Sequence, residues 1–296
     1  MTKSVVTGGC GFIGSHLVDK LVELGHTVCV IDDLSAPENE KFWFNDKAEY
    51  SKKDIVSDDC SDSFVGADYV FHLAARSRIQ PTVSSPNQCF EVNVVGTQRV
   101  LEWSKSENIK RFVYSGTSSL YGKHNKVPFQ PNMPSDCLNP YSMSKWMGEH
   151  ICKLYSQMYD INSTVLRYFN VYGPREPLKG RYAPVIGLFK RQAANGQEMT
   201  IVGDGNQKRD FTYIDDVVEA NIKAIKLSES KSFGIYNIGT GKNYTINQVS
   251  EMIGGKVKYI TERPTEVRET LADISLTIKD LNWRPTIHLK DIINSY

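Results

Sequence analysis

The sequence predicts an α/β protein: a doubly wound parallel sheet in the amino-terminal part, followed by a smaller carboxy-terminal α/β domain. Three observations predict it. Short β-branched runs alternate with longer helical patterns through the first half, a glycine-rich turn opens the first of those helices, and Gly and Pro punctuate the chain more densely after about Tyr172. The expected strands are 4–6, 27–31, 67–73, 110–115 and 163–169. Between them, 14–24, 87–106 and 141–159 carry apolar residues at helical spacing, Val92, Val95, Val100 and Leu101 among them. Further helices are expected at 183–194, 215–227 and 246–253, and the polar stretch 37–47 reads as a surface loop or short helix. The expected division is 1–171 and 172–296, with part of the second segment returning to the first sheet.

The chain has 296 residues, and its 35 basic and 34 acidic side chains leave a formal charge of +1. No net field therefore draws it to nucleic acid or to an anionic membrane, and any phosphate must be held by local groups. The amino terminus enters a strand-like run without an apolar stretch of signal-peptide length, so a soluble, cytoplasmic protein is expected. Cys10, Cys29, Cys60, Cys89, Cys137 and Cys152 lack the spacings of a zinc or redox site, so free thiols and no metal are expected.

The first strand runs into TGGCGFIGSHL, which places Gly8, Gly9, Gly11 and Gly14 at the mouth of an amphipathic helix. Such glycines let the backbone turn tightly, approach a pyrophosphate and pack helix against strand, while free amides at the helix start hold phosphate. The next strand ends in Asp32 and Asp33, where a carboxylate can accept the adenosine ribose hydroxyls. Alone, that pair reads as a solvated turn; with strand, glycines and helix it reads as a Rossmann dinucleotide site. A carboxylate repels a 2′-phosphate and no Arg follows in DDLSAPEN, so NAD is expected rather than NADP. Asp54 could meet the adenine edge, or be a loop charge.

Further on, NPYSMSKWMGEH opens a helix carrying Tyr141 and Lys145, whose separation puts both on one face. A phenol of ordinary pKa near ~10 is a poor base at neutral pH and needs a nearby cation. Lys145 and a nicotinamide cation could supply it, with Thr117 or a neighbouring hydroxyl, at the end of the fourth strand run, hydrogen-bonding the substrate oxygen and relaying its proton.

In order along the chain, TGGCGFIG, FHLAA, FVYSGTSSLYG, YSMSK, RYFNVYGPR, RDFTYIDDVV and RPTEVRETLADIS resemble the extended short-chain dehydrogenase/reductases, and within them the UDP-glucose 4-epimerase family. The resemblance implies that Thr117, Tyr141 and Lys145 are the catalytic set. It makes Gly8, Gly11, Phe12, Ile13, Gly14, Asp32, Asp33, Ser35, Asp54, Ile55, Leu73, Ala74, Ala75, Asn93, Ser115, Tyr141, Lys145 and Phe169 cofactor contacts. Thr117, Tyr141, Asn170, Arg209, Arg268 and Thr270 fall to the substrate, Thr270 at a position that leaves room beside the sugar's 2-substituent. It also implies a homodimer acting on a UDP-sugar in galactose and wider carbohydrate metabolism.

The implied reaction is NAD-dependent inversion at carbon 4 of UDP-glucose or UDP-galactose through a 4-keto intermediate, with the N-acetylated pair as further candidates. Thr117 is followed by Ser118 and Ser119, which lack the carboxylate that dehydration needs. UDP-glucuronate decarboxylation and nucleotide-sugar dehydration stay open as alternatives, as does a non-catalytic NAD-sensing module. The motif AARSRIQ also places Arg76 and Arg78 near the sugar, where they could meet an acidic substrate or simply face solvent.

Overall fold

The computed structural model describes residues 1–36, 41–177, 183–228, 230–262 and 267–296. Residues 37–40 of the expected surface loop lie outside these, and 41–45 are irregular. The sheet contains β1 (Lys3–Thr7), β2 (Thr27–Ile31), β3 (Glu49–Ser51), β4 (Tyr69–His72), β5 (Arg111–Thr117) and β6 (Ser163–Tyr168), with the strand Phe233–Ile238 beyond β6. Their order is Phe233–Ile238, β6, β5, β4, β1, β2, β3, and every pairing is parallel. Helices cover both faces, so the inner strands are buried on both sides, Arg111–Thr117 and Ser163–Tyr168 along their whole length, rather than alternating between core and solvent. Val5 joins one core layer with Ile31, Val70 and Phe112, while Val6 joins the other with Leu17, Val30 and Phe71. That second layer continues through Ile214 and Val217 to Trp283, so the carboxy-terminal segment packs on the same face as the glycine-rich helix.

Two strands of this sheet escaped the sequence reading. β3 is three residues long, and Phe233–Ile238 lies beyond the alternating half, where its neighbours do not show that it pairs with β6. The long helix expected over 87–106 is also interrupted. Pro86–Phe90 and Thr97–Ser106 are α-helical, but Glu91–Gly96 forms a π-helical turn. Gly96 presses against Ile55, whose Cδ1 would lie 2.7 Å from any added Cβ. The turn is also pinned by Asn93, whose buried amide donates to Ser144 Oγ at 2.9 Å.

The helix Pro140–Tyr159 starts sharply because Asn139 accepts from the Ser142 amide, Ser142 Oγ closes the reciprocal bond and Pro140 takes the first turn. Its anchor is Glu149, which is nearly fully buried and paired to Arg167 of β6 at 2.7 Å. Arg167 also donates to Tyr121 Oη at 2.8 Å and to the Pro131 carbonyl at 3.0 Å. Gly116 makes room for the pair: a Cβ there would sit 3.0 Å from Glu149 Oε1. Removing one member of a buried pair leaves an uncompensated charge. Glu149→Leu is therefore expected to lower stability by about 3–5 kcal/mol, measured by denaturant unfolding; a loss below about 1 kcal/mol would show that Arg167 finds another partner.

Candidate functional site

The strand order reverses between β1 and β4, and a crevice opens at their carboxyl ends. Gly8 turns the chain there with φ +72°, and a Cβ on it would stand 2.6 Å from the Ala74 amide nitrogen beyond β4. A Cβ on Gly14 would meet the Gly8 carbonyl oxygen at 2.2 Å, so the helix Phe12–Glu23 lies directly on the glycine turn. No side chain caps that helix start, which leaves its first amides for a ligand. The Asp32 carboxylate accepts the amides of Cys10 and Leu34, each at 2.9 Å, and thereby ties β2 to the glycine loop. Burial pushes its pKa upward, against the pull of those two bonds. Asp33 accepts from the Ser35 amide at 3.0 Å, and Asp54 from the Val56 amide at 2.8 Å.

The crevice continues into a cleft of about 570 Å³ shared with the carboxy-terminal segment. Its wall brings together Gly8, Gly11, Phe12, Ile13, Gly14, Asp32, Asp33, Ser35, Asp54, Ile55, Leu73, Ala74, Ala75 and Ser115 with Thr117, Tyr141, Lys145, Asn170, Arg209 and Thr270. Thr117 ends β5 and accepts from the Ser119 amide at 3.2 Å, which fixes its hydroxyl. Tyr141 shares a hydrogen bond with it. Burial raises the Tyr141 phenol above its ordinary pKa, while the Thr117 bond and the positive charge of Arg78 pull it down. Lys145 sits with Nζ 4.1 Å from the Tyr114 ring centroid, and burial lowers its pKa to about 8. Arg78 thus adds a positive charge near the phenol, on the same cleft wall as Lys145. Asp210, fully buried, accepts from Thr240, Gly241 and Ala272 and holds Arg209 and the Thr270 segment against the cleft.

Three residues expected in the site do not reach its wall. Asn93 is buried behind it, accepting from the Arg76 amide at 2.7 Å and donating to the Arg76 carbonyl at 3.0 Å. Phe169 packs among Leu120, Tyr121, Phe129 and Ala272. Arg268 is exposed and makes two bonds to Asp204, at 2.8 and 2.7 Å. A motif match could not separate wall from backing, because neighbours in sequence point to opposite sides. Conversely Lys53, Gln80, Leu138 and Pro177 line the cleft unannounced; they come from loops and, for Gln80, the short helix Ile79–Ser84, which only the fold brings together.

The model of the NAD dependent epimerase/dehydratase family matches residues 4–239. A putative UDP-glucose 4-epimerase of Methanocaldococcus jannaschii is 38% identical over 97% of this chain and 94% of its own length. The solved UDP-glucose 4-epimerase of Thermotoga maritima with UDP-glucose superimposes with a TM-score of 0.92 at 33% identity, covering 99% of this chain and 96% of that one. UDP-glucuronic acid 4-epimerase of Bacillus cereus, solved with UDP-glucuronic acid and NAD, gives 0.89 at 30% identity over 99% and 97% of the two chains. The crevice suits a dinucleotide because the glycine turn leaves no volume for a side chain. Gly8→Ala, which drives a Cβ toward the Ala74 amide and strains a positive φ, is expected to purify without bound dinucleotide, read by chromatography of acid-denatured protein. Full NAD occupancy in that variant would show that the turn can move aside.

Proposed function

This chain belongs to the NAD-dependent epimerase/dehydratase family, and on that premise we propose that it inverts carbon 4 of UDP-hexoses of the glucose and galactose series, with the N-acetylated pair also accepted. The observation carrying this reading is the convergence of Thr117, Tyr141 and Lys145 on one cleft wall, directly beyond the dinucleotide crevice. When bound, NAD supplies a reversible hydride acceptor, so no second cofactor molecule is required per turnover. Tyr141 takes the proton of the 4-hydroxyl, relayed and oriented by Thr117, and gives it back after the 4-keto sugar has turned its other face. Buried Lys145 keeps positive potential beneath this proton transfer. Arg209 offers its charge to the diphosphate and Asn170 borders the sugar. Ser118 and Ser119 offer no carboxylate for the paired acid and base of a dehydration, and the intact hydroxyl, Tyr and Lys argue against a cofactor sensor.

The division at 171/172 follows the change from alternating strands and helices to small two-stranded sheets, such as Lys208–Asp210 with Asn243–Thr245. A homodimer is supported by Val83, Val95, Met143, Leu154 and Met158, exposed on neighbouring helical segments within 79–96 and Pro140–Tyr159. Among the described residues no helix is long and apolar enough to cross a membrane, and the near-zero charge offers no net attraction to nucleic acid; a cytoplasmic role in galactose metabolism is proposed with the UDP-hexose reading alone.

Incubation with a panel of UDP-sugars without added NAD, followed by separation of products, tests the reading; the 4-epimer is expected, and a dehydrated or decarboxylated sugar would replace it. Tyr141→Phe is expected to keep its NAD and lose about 10²-fold or more in turnover. Near-normal turnover, with chemistry limiting, would remove Tyr141 as the base.

Sugar size is tested at Thr270, which borders the cleft and accepts from Asn170 Nδ2 at 3.3 Å. Thr270→Tyr also disturbs that bond for every substrate, so the readout is the ratio between sugars. The ring is expected to cost UDP-N-acetylglucosamine about 1–3 kcal/mol more transition-state binding than UDP-glucose. Equal losses would take Thr270 out of the specificity.

A further inference from the structure

Tyr141 and Lys145 carry two titratable protons between them, and only one remains once Tyr141 acts as a base. That proton can sit on either side, as ammonium with phenolate or as amine with phenol. Burial disfavours both charges, raising the Tyr141 phenol and lowering Lys145 to about 8. Only ammonium with phenolate can take the 4-hydroxyl proton, so that form calls for a group that favours charge on Lys145 Nζ. Resting on the UDP-sugar reading above, we infer that Tyr114 is a positioning residue for this reaction, its ring face holding the Lys145 ammonium in place and charged while Tyr141 is the phenolate.

The geometry supports this assignment. Tyr114 stands in the middle of β5, fully buried, and Lys145 Nζ lies 4.1 Å from its ring centroid. Among the described residues no hydrogen bond or ion pair engages that ammonium. The ring is held by its own hydroxyl, which donates to the Lys145 carbonyl at 3.4 Å and shares a hydrogen bond with Thr97. The helix Pro140–Tyr159 is notched to receive it, because a Cβ on Gly148 would lie 2.1 Å from Tyr114 Oη. The His72 ring packs beside it, with centroids 5.8 Å apart.

The other groups around Lys145 supply less. On its own helix, Glu149 pulls the Lys145 pKa upward, yet both of its carboxylate oxygens accept from Arg167. Burial keeps Cys152 a thiol, and likewise Cys89 from the helix Pro86–Phe90. His72 of β4 is neutral because burial lowers its pKa. Arg78, on the cleft wall, favours the phenolate rather than the ammonium. An aromatic face attracts a desolvated ammonium without itself titrating, and burial raises the Tyr114 phenol well above its ordinary range.

The test follows phenolate absorbance of the NAD-loaded protein across pH, each background read against its own Tyr141→Phe counterpart. In the wild type a phenolate component is expected below the ordinary phenol range near ~10. Tyr114→Phe keeps the ring and should retain that component, whereas Tyr114→Leu should reduce it about 10-fold, the strength of a desolvated contact between cation and ring. Tyr114→Phe variants carrying one, two or three fluorines on the ring, which drain its face at nearly constant shape, should reduce it stepwise. Turnover gives a second signature. In Tyr114→Leu the kcat plateau should fall by the same factor, while the acid limb, where Lys145 is protonated in every variant, coincides with that of the wild type. A wild type without the component, a flat fluorinated series, or a kcat profile scaled evenly at every pH would overturn the assignment. If Tyr114→Leu does not fold, the fluorinated series decides. If the wild type epimerises no sugar, the carbon 4 reaction fails, and the absorbance titration still decides on Tyr114.

Discussion

The buried pair of Arg167 and Glu149 is the constraint on which the end of the cleft that carries Thr117, Tyr141 and Lys145, the proposed catalytic set, depends. Glu149 lies one helical turn beyond Lys145, so the bond at 2.7 Å fixes the helix that carries Tyr141 and Lys145 to β6. Arg167 then reaches Tyr121, which follows Thr117 in the turn after β5, and Tyr121 donates to Asn237 at 2.6 Å. One guanidinium thus sets the relative positions of the hydroxyl strand, the catalytic helix and the seventh strand. Ion pairs of this depth contribute little net stability, because desolvation offsets the attraction. Their value here is geometric, since a reacting group displaced by about 1 Å can lose about 10²-fold in rate.

A second buried chain underlies the crevice. Thr7 and Thr97 bracket His72 at 2.7 and 2.9 Å, and Thr97 donates to the Asn93 carbonyl at 2.7 Å. Burial lowers the His72 pKa to about 3, so the ring is neutral and works as a hydrogen-bonding strut. Through Asn93 the chain reaches the Arg76 backbone and Ser144 of the catalytic helix. The cofactor crevice, the arginine loop and the catalytic helix are therefore registered against one another from below. Asn93 thus acts from behind the wall, by positioning the groups that form it.

Charge follows the same framework. The two ends of the cleft take opposite sign because one is built from the turns after β2 and β3 and the other from the loop after β4, the catalytic helix and the strand of Arg209. A molecule of near-zero net charge can in this way present local fields to a dinucleotide and to an anionic sugar nucleotide.

The sequence by itself determined whatever depends on local chemistry. Alternating β-branched runs specified five of the seven sheet strands, glycine spacing specified the crevice, and the carboxylate ending β2 specified the cofactor. The four-residue step from Tyr141 to Lys145 put both on one helical face. What only the tertiary structure decided is which side of the wall a residue occupies. Phe169 and Arg268 fall within recognisable motifs and the family resemblance implies Asn93, yet an aromatic cluster, Asp204 and a π-helical turn hold them away from the cleft. Arg78, which the sequence could leave either near the sugar or in solvent, lines the cleft with Tyr141, because parallel strands bring together at their carboxyl ends groups that are distant in the chain. Periodicity encodes the face of an element, whereas the partner opposite that face is set by packing between elements.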